Sequence, residues 1–384
     1  MSAFSADYQK VVFAYEALSI LVAFAVQFGH YFQMKNSVHH NSKMSPMSIR
    51  NLLKVELHRH LDCSMRLSTM VDLAKELKVL PKSSFQDLQS ELLVLEPMKD
   101  LASVLSKFLR AQKILASEEI LTRLAFEACE DAFNDGIRVL EFRFAPTFIS
   151  EGHNHLTPLK ILRAFQKGID LATKCFPMCV GLICIFQRTL PAEKNKEILH
   201  FILDHQQDFI AVDLADDESL HPPEKFKDLF QQIIQKNIPI TIHAGESPGP
   251  LASNSVRRAV EFLGATRIGH GVQCIHDLEL IQFLIQNKIT LEVCPHSNYL
   301  TQAFPAYSDH PIRKLYDMGV QVTVNSDDPG IFHTQLSDDY MICHQHHSFG
   351  TTEFAKMNRV AFNASFISTE KKTEFADCFL NSIF

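Results

Sequence analysis

Two histidines two residues apart, His58 and His60, end the first strongly β-like stretch of the chain. Successive side chains of a strand point to opposite faces, so both imidazoles would project from the same face. Such a pair supplies half of a zinc site, although two hydrogen-bonded histidines in a strand would show the same spacing. A metal site would therefore need further ligands from elsewhere in the chain.

Three later β-like stretches also end in side chains that could do chemistry. His243 is followed closely by Glu246, His270 lies between two glycines, and the last stretch ends with the adjacent pair Asp327 and Asp328. Adjacent carboxylates repel each other unless a cation or proton donors hold them, so their placement beside several histidines implies a metal ion. A turn capped by polar side chains could explain any one of these groups, but it does not explain all of them together.

The elements that must position these residues alternate between short β-like runs and longer amphipathic segments, a pattern typical of a parallel sheet with crossover helices. Polar residues at the carboxyl ends of the strands are typical of barrel enzymes. We therefore predict an α/β fold, a (β/α)₈ TIM barrel with a helical insertion after the first strand and C-terminal helices, with a doubly wound sheet as the alternative. The predicted strands are 54–60, 137–145, 179–186, 209–214, 239–243, 266–270, 289–293 and 320–325.

Composition restricts the class of partner. The 384 residues include 37 Lys and Arg against 44 Asp and Glu, a net charge of −7, without a dense basic stripe. This balance argues against nucleic acid and favours a small molecule. No glycine-rich phosphate loop follows any predicted strand, so a dinucleotide or P-loop site has no support. The nine cysteines form no CxxC pair and are expected to be reduced core residues of a cytoplasmic protein.

The first fifty residues differ from the rest of the chain. Segment 11–32 is almost entirely apolar and, as a helix, could just cross a bilayer. It contains Glu16, however, and lacks a convincing cleavage site. We therefore expect residues 1–50 to be an extension that the working domain at 51–384 does not need, with a membrane anchor or an export signal as the alternative.

The motifs together resemble the adenosine deaminase family in their order and spacing, from about Val55 to the end of the chain. The segments that carry the resemblance are HRHLD at 58–62, DLADDE at 213–218, HAGE at 243–246, GHG at 269–271, CPHSN at 294–298 and SDDP at 326–329. The resemblance implies a barrel hydrolase that converts adenosine or 2′-deoxyadenosine to the inosine product and ammonia. It also implies one zinc ion per chain, held by His58, His60, His243 and Asp327.

The resemblance assigns roles to further residues. Glu246 would be the proton shuttle, His270 would orient the hydroxide nucleophile, and Asp328 would hold the purine. Asp62 resembles an aspartate that contacts the ribose 5′-hydroxyl, although it could instead cap a helix starting near residue 64. The resemblance implies that the substrate contacts are His60, Asp62, Asp216 and Asp328. Behind the metal ligands, the resemblance places Arg143 as a charge partner, with Ser297 and Asn298 as braces.

The reaction itself explains why an acid is needed. Attack at C6 of the purine pushes electrons onto N1, which must be protonated as the ring loses aromaticity. Glu246 would therefore have to be protonated when the substrate binds, and repulsion from Asp327 and Asp328 would favour that state.

Two positions depart from the family pattern and bear on substrate choice. Asp216 replaces a glycine whose backbone N–H contacts the purine, and a side chain there would be strained if φ is positive. Cys63 replaces a second glycine. Another 6-aminopurine substrate therefore remains open, namely adenine, an N6-substituted nucleotide or a futalosine-type nucleoside. A non-catalytic purine-binding protein and a two-metal amidohydrolase are further alternatives, but the latter would need a lysine at the end of the fourth strand, where none is present.

Overall fold

Eight parallel strands form the centre of the protein in the computed structural model, which describes residues 44–79, 85–99, 101–249 and 252–380. Every predicted strand is present, and no end differs from its prediction by more than two residues. The strands are β1 (Lys54–His60), β2 (Ile137–Phe144), β3 (Cys179–Gln187), β4 (Ala211–Ala215), β5 (Thr241–Ala244), β6 (Arg267–His270), β7 (Thr290–Val293) and β8 (Gln321–Val324).

The strands close into a barrel through two seams. Strands β1 to β4 pair in sequence order, and so do β5 to β8. Between β4 and β5, the backbone N–H of Val212 donates to the carbonyl of Pro239 at 3.0 Å. Between β8 and β1, the N–H of His60 donates to the carbonyl of Asp327 at 2.8 Å, and the N–H of Asp327 donates to the carbonyl of His58 at 3.1 Å. The (β/α)₈ prediction is therefore confirmed, and an open doubly wound sheet is excluded.

The predicted helical insertion follows β1, and the predicted C-terminal helices follow β8. Four helices of the described chain lie between β1 and β2. The helices are α1 (Pro46–Arg50), α2 (Leu67–Leu77), α3 (Phe85–Leu92), α4 (Leu101–Gln112), α5 (Glu118–Asn134), α6 (Pro146–Ser150), α7 (Pro158–Cys175), α8 (Ala192–Asp204), α9 (Lys227–Gln235), α10 (Ala252–Leu263), α11 (Leu278–Gln286), α12 (Pro295–Leu300), α13 (Ile312–Asp317), α14 (Pro329–Phe332), α15 (Leu336–His347), α16 (Thr351–Ala364), α17 (Thr369–Lys372) and α18 (Ala376–Phe379).

Local sequence sets where the longer helices begin. The side chain of Ser117 accepts the N–H of Ile120 at the start of α5, and two glutamates in its first turn complement the positive end of the helix. The side chain of Thr157 likewise accepts the N–H of Lys160 at the start of α7, whose first residue is a proline. These caps fix the ends of two helices that pack on each other outside β2 and β3.

The N-terminal helix α1 packs against the C-terminal helix α15. The N–H of Met44 donates to Nε2 of His344 at 3.1 Å, while Nδ1 of the same ring donates to the carbonyl of Phe349 at 2.8 Å. The apolar segment 11–32 lies outside the described residues, so the division of the chain at residue 50 stays a prediction. No helix in the part of the chain that the structure describes is both long and apolar enough to cross a bilayer.

Candidate active site

The four side chains predicted to bind metal meet at the carboxyl end of the barrel. His58 and His60 come from β1, His243 from β5, and Asp327 follows β8; one ligand atom of each lies within 4.8 Å of the other three. Nε2 of His60 is 3.3 Å from Nε2 of His243. Oδ1 of Asp327 is 3.1 Å from Nε2 of His58 and 3.4 Å from Nε2 of His60. The pairing of β8 with β1 brings His58, His60 and Asp327 together.

The hydrogen bonds behind this cluster fit a bound metal ion. Nδ1 of His58 donates to Oε2 of Glu292 at 2.8 Å, and Nδ1 of His243 donates to Oδ2 of Asp213 at 2.9 Å. Both rings therefore carry their proton on Nδ1 and turn the Nε2 lone pair inward. Lone pairs that face each other and the Asp327 carboxylate repel unless a cation lies between them. Three imidazoles and one carboxylate form a donor set that suits zinc.

Arg143 keeps the supporting carboxylates ionised. Its guanidinium is fully buried and lies 2.7 Å from Asp213 and 2.6 Å from Glu292. Burial alone would raise the pKa of Glu292, but Arg143 and Arg267 hold it well below the usual range. The pKa of Asp213 is also lowered despite burial, by His243 and Arg143. Arg143 thus lies behind the histidines as a charge partner, and both carboxylates remain acceptors for the imidazoles.

Glu246 lies on the turn after β5 with its side chain buried beside the cluster. The hydroxyl of Thr301 donates to Oε1 of Glu246 at 3.0 Å, and Oε2 lies 3.6 Å from Nε2 of His270. Burial raises the pKa of Glu246 to about 8, and the carboxylates of Asp327 and Glu218 add to the rise. The carboxyl is therefore protonated at neutral pH. Burial is the larger cause of this raised pKa. The second carboxylate that repels the ionised form of Glu246 is Glu218 and not Asp328, the residue expected from the sequence.

Three site residues adopt a left-handed backbone that side chains rarely occupy. They are Asp216, His270 and Asp327, which lie at or just after the ends of β4, β6 and β8 and have φ values of 88°, 59° and 63°. Strain of this kind persists where the surrounding structure enforces it, and it clusters at functional sites. The expectation that a side chain at position 216 is strained is therefore met. Its carboxylate accepts the hydroxyl of Thr189 and the N–H of Asp217, contacts that favour this conformation.

A small cleft, partly open to solvent, lies over the cluster. The polar residues Asp216, Glu246, His270 and Asp328 are among those that line it. Apolar side chains cover it, three of them from α4, which gives a planar aromatic ring an apolar face to pack on. These are Val104, Leu105, Phe108 and Phe332.

Two buried carboxyls next to the cluster each keep one oxygen unused. Oδ1 of Asp62 and Oδ1 of Asp328 have no hydrogen-bond partner within the described chain. Helix α2 begins at Leu67 and has Arg66 at its cap position, so Asp62 does not cap it; instead its Oδ2 accepts the N–H of Ala145 at 3.2 Å. The thiol of Cys63 lies next to the Asp328 carboxyl. Both free oxygens are available to a ligand.

Three supporting carboxylates, Asp213, Glu218 and Glu292, were not identified from the sequence. Glu292 lies in the middle of β7 between apolar residues, and a carboxylate within a buried strand is itself a signal of a charged partner. Glu218 lies in the DLADDE segment, yet nothing in the sequence shows what it contacts. Of the two predicted braces, Asn298 reaches Nδ1 of His270 at 3.1 Å. Ser297 lines the cleft, and its buried hydroxyl has no partner among the described residues.

The fold and this site define a hydrolase of the metal-dependent (β/α)₈ class. The family described as adenosine deaminase matches residues 53–381. The chain therefore belongs to the adenosine deaminase family, whose members are metal-dependent hydrolytic deaminases.

Known relatives cover nearly the whole barrel. Adenosine deaminase of Plasmodium falciparum (isolate 3D7) is 35% identical over 327 residues, which are 85% of this chain and 88% of the relative. Adenosine deaminase of Shewanella loihica is 33% identical over 325 residues, covering 84% and 97% of the two chains. A solved structure of adenine deaminase from Arthrobacter aurescens superposes with a TM-score of 0.79 at 25% identity, covering 85% of this chain and 98% of that one.

Proposed function

We propose that this protein is a zinc-dependent adenosine deaminase, which converts adenosine and 2′-deoxyadenosine to inosine and 2′-deoxyinosine with release of ammonia. One observation carries the proposal: the carboxyl of Glu246, whose pKa burial raises to about 8, lies with His270 beside a cluster of four metal-ligating side chains. An acid next to a metal site is what nucleophilic attack on a 6-aminopurine requires. The two adenosine deaminase relatives support the choice of adenosine.

The metal in this proposal is one zinc ion per chain, held by His58, His60, His243 and Asp327. A bound zinc ion supplies hydroxide near neutral pH because it lowers the pKa of water to about 7. Glu292 and Asp213 hold the imidazoles of His58 and His243 in the tautomer that binds a cation.

Glu246 provides the proton that the purine ring requires. When C6 is attacked, electrons move onto N1, and the protonated carboxyl of Glu246 transfers its proton to that nitrogen. His270 supplies a hydrogen bond that positions the attacking oxygen, since its Nε2 lies 3.6 Å from Glu246 and 3.9 Å from Oδ2 of Asp327. Preorganised hydrogen bonds of this kind are worth most in a buried, water-poor site.

The unpaired Oδ1 atoms of Asp62 and Asp328 indicate which groups of a substrate could bind here. Burial, followed by repulsion from Asp327, raises the pKa of Asp328 well above its usual range, so its carboxyl can share a proton with purine N7. Oδ1 of Asp62 accepts the ribose 5′-hydroxyl. The backbone N–H of Asp216 reaches N3, and His60 lines the edge of the base. The α4 side chains cover the ring.

A free base is the second candidate, because the solved adenine deaminase shares this fold at 25% identity. Adenine would leave the buried Oδ1 of Asp62 without a partner, and an unpaired buried acceptor costs about 1–3 kcal/mol. This observation favours a nucleoside. A purine-binding protein without catalysis would have no use for a buried, protonated Glu246 next to four ligands.

The proposed location of this reaction is the cytoplasm, and the proposed partner is the small purine nucleoside. Cys129, Cys184 and Cys274 are buried free thiols, as expected in a reducing compartment.

A substrate panel tests the proposal directly. Adenosine, 2′-deoxyadenosine, adenine, AMP and N6-methyl derivatives are each incubated with the zinc-loaded protein, and deamination is followed by ultraviolet absorbance and ammonia release. We expect the highest kcat/KM for adenosine and 2′-deoxyadenosine. A higher kcat/KM for adenine or for an N6-methyl nucleotide would move the substrate assignment, and turnover of none of them would overturn the proposed function.

A further inference from the structure

Nε2 of His270 can face the site either with a proton or with a lone pair. Buried side chains linked by hydrogen bonds behind the ring determine which of the two it is. Nδ1 of His270 lies 3.1 Å from Nδ2 of Asn298. Oδ1 of Asn298 lies 3.1 Å from Nε2 of His310, and Nδ1 of His310 lies 3.2 Å from the backbone nitrogen of Ile312. All three side chains are at least 95% buried, so water does not compete for these contacts.

The backbone N–H of Ile312, at the end of this series of hydrogen bonds, fixes which atom donates and which accepts in each bond. The N–H of Ile312 can only donate, so Nδ1 of His310 must accept and the proton of that ring lies on Nε2. Nε2 therefore donates to Oδ1 of Asn298, and the amide group of Asn298 points its N–H toward His270. Turning the Asn298 amide around would require His310 to carry no proton on either nitrogen. Burial lowers the pKa of His310 to about 3, which agrees with a neutral ring.

Asn298 cannot easily turn away from this arrangement, because its backbone is held on both sides. Its N–H donates to the carbonyl of Cys294 at 2.9 Å, and its carbonyl accepts the N–H groups of Ala303 and Phe304 at 2.9 and 3.3 Å. The side-chain amide therefore leaves α12 at a fixed place between the two rings.

The orientation of the Asn298 amide determines which nitrogen of His270 carries the proton in the candidate active site. Since Nδ1 of His270 accepts from Asn298, the proton of His270 lies on Nε2. That nitrogen faces Oε2 of Glu246 at 3.6 Å and Oδ2 of Asp327 at 3.9 Å. A donor suits these two oxygens, whereas a lone pair would be repelled by the Asp327 carboxylate.

We propose that His310 is a positioning residue that, through Asn298, fixes His270 as a neutral donor of an Nε2–H hydrogen bond into the site. The catalytic part of this inference rests on the proposed function, since a donor at this place holds the attacking oxygen through one of its lone pairs. His310 is 40 residues from His270 in the sequence and does not line the cleft over the metal ligands in the part of the chain that the structure describes.

Ring-nitrogen NMR of ¹⁵N-histidine-labelled protein tests the inference without reference to activity. The spectrum is recorded for the metal-free and the zinc-loaded protein, and the His270 signals are identified by their loss in His270→Gln. We expect the pattern of an Nε2–H tautomer in the unchanged protein. An Nδ1–H pattern there would overturn the inference, and this result needs no variant to fold.

Two variants test the order of donors and acceptors in these hydrogen bonds: Asn298→Asp should reverse it at His270, and His310→Gln should keep it. Asn298→Asp replaces the donor with a carboxylate that can only accept, so His270 should move its proton to Nδ1, and kcat should fall about a hundredfold with KM changed less than about threefold. His310→Gln keeps an acceptor for Ile312 and a donor for Asn298, so it should keep the Nε2–H pattern and kcat within about threefold. His310→Leu should lower kcat by about tenfold.

The results separate the two proposals. An Nε2–H pattern in Asn298→Asp, or His310→Gln as impaired as His310→Leu, would overturn the positioning role. A protein that shows the expected tautomers but deaminates no purine would overturn the proposed function alone. Deamination of adenosine together with an Nδ1–H pattern would overturn this inference alone.

Discussion

The carboxylate of Glu218 accepts the backbone N–H of Glu246 at 2.8 Å, so one glutamate holds in place the turn that carries the other. The same carboxylate accepts the N–H groups of Gly245 and Ser247 at 2.9 and 3.0 Å and the hydroxyl of Ser255 at 3.1 Å. Three successive N–H groups around one anion form a concave binding site for that anion. Glu218 therefore fixes the turn after β5, and its charge helps keep Glu246 protonated.

Glu218→Gln should lower kcat/KM for adenosine by about tenfold or more, because an amide offers one acceptor oxygen and places its own N–H groups against backbone donors. Hydrogen bonds to a charged group are worth about 1.5–3 kcal/mol each. Steady-state kinetics measure the loss. Ser255→Ala is the matched control, since it removes only one of the four contacts and should change kcat/KM by less than about threefold. Equal kcat/KM in Glu218→Gln and the unchanged protein would show that the turn does not need this anion.

The pH dependence of kcat/KM should reflect the acid form of Glu246. Its pKa of about 8 means that the carboxyl is protonated below pH 8 and ionised above it. We therefore expect kcat/KM to fall about tenfold per pH unit on the alkaline side of pH 8. Stopped-time assays across this range measure the profile.

Thr301→Val provides the control for that assignment. The hydroxyl of Thr301 donates to Glu246 and stabilises the ionised carboxylate, so its removal should raise the pKa and move the falling limb to higher pH. A limb that moves to lower pH in this variant, or activity that keeps rising past pH 9, would contradict the role of Glu246 as the acid.

Asp216→Gly should affect substrate binding more than folding. Relief of the left-handed conformation is worth about 1 kcal/mol, and loss of the contact with Thr189 costs about the same, so the melting temperature should hardly change. Without the side chain at the cleft wall, KM for adenosine should rise about threefold to tenfold with kcat nearly unchanged. Asp217→Ala removes a neighbouring carboxylate that contacts Ser219 instead and should leave KM unaltered. An unchanged KM in Asp216→Gly as well as in Asp217→Ala would show that the side chain of Asp216 does not contact the substrate.

Removal of the metal should destabilise the barrel as well as inactivate it. The proposed ligands come from β1, β5 and the end of β8, so one ion would join both halves of the barrel across the seam at Asp327. A ligand present at a hundred times its Kd stabilises a protein by about 2.7 kcal/mol. Chelation should therefore lower the melting temperature by several degrees, and added zinc should restore it. An unchanged melting temperature after complete chelation would contradict this metal site.

Most of the barrel could be predicted from the sequence because its signals are local. The eight β-like runs match the strands to within two residues, and the polar residues at their ends lie at one end of the barrel. His58, His60, His243 and Asp327 could be grouped because parallel strands bring their carboxyl ends together.

What the sequence did not show depends on contacts between distant segments. The link from Glu292 to His58 spans 234 residues, and that from Glu218 to Glu246 exists only once two loops meet. The left-handed backbone at His270 and Asp327 is imposed by tertiary structure, because His and Asp adopt this conformation only occasionally. Asp62 could not be separated from a helix cap until the true start of α2 was known.

Glu246→Gln tests most directly whether Glu246 is the acid of a zinc-dependent deaminase, because the amide keeps the shape of the side chain while it cannot deliver a proton to N1. Adenosine turnover and zinc content are measured on the same preparation. We expect close to one zinc per chain in both proteins and a kcat for Glu246→Gln at least about a thousandfold below that of the unchanged enzyme. Near-normal deamination by Glu246→Gln with zinc still bound would contradict this role of Glu246.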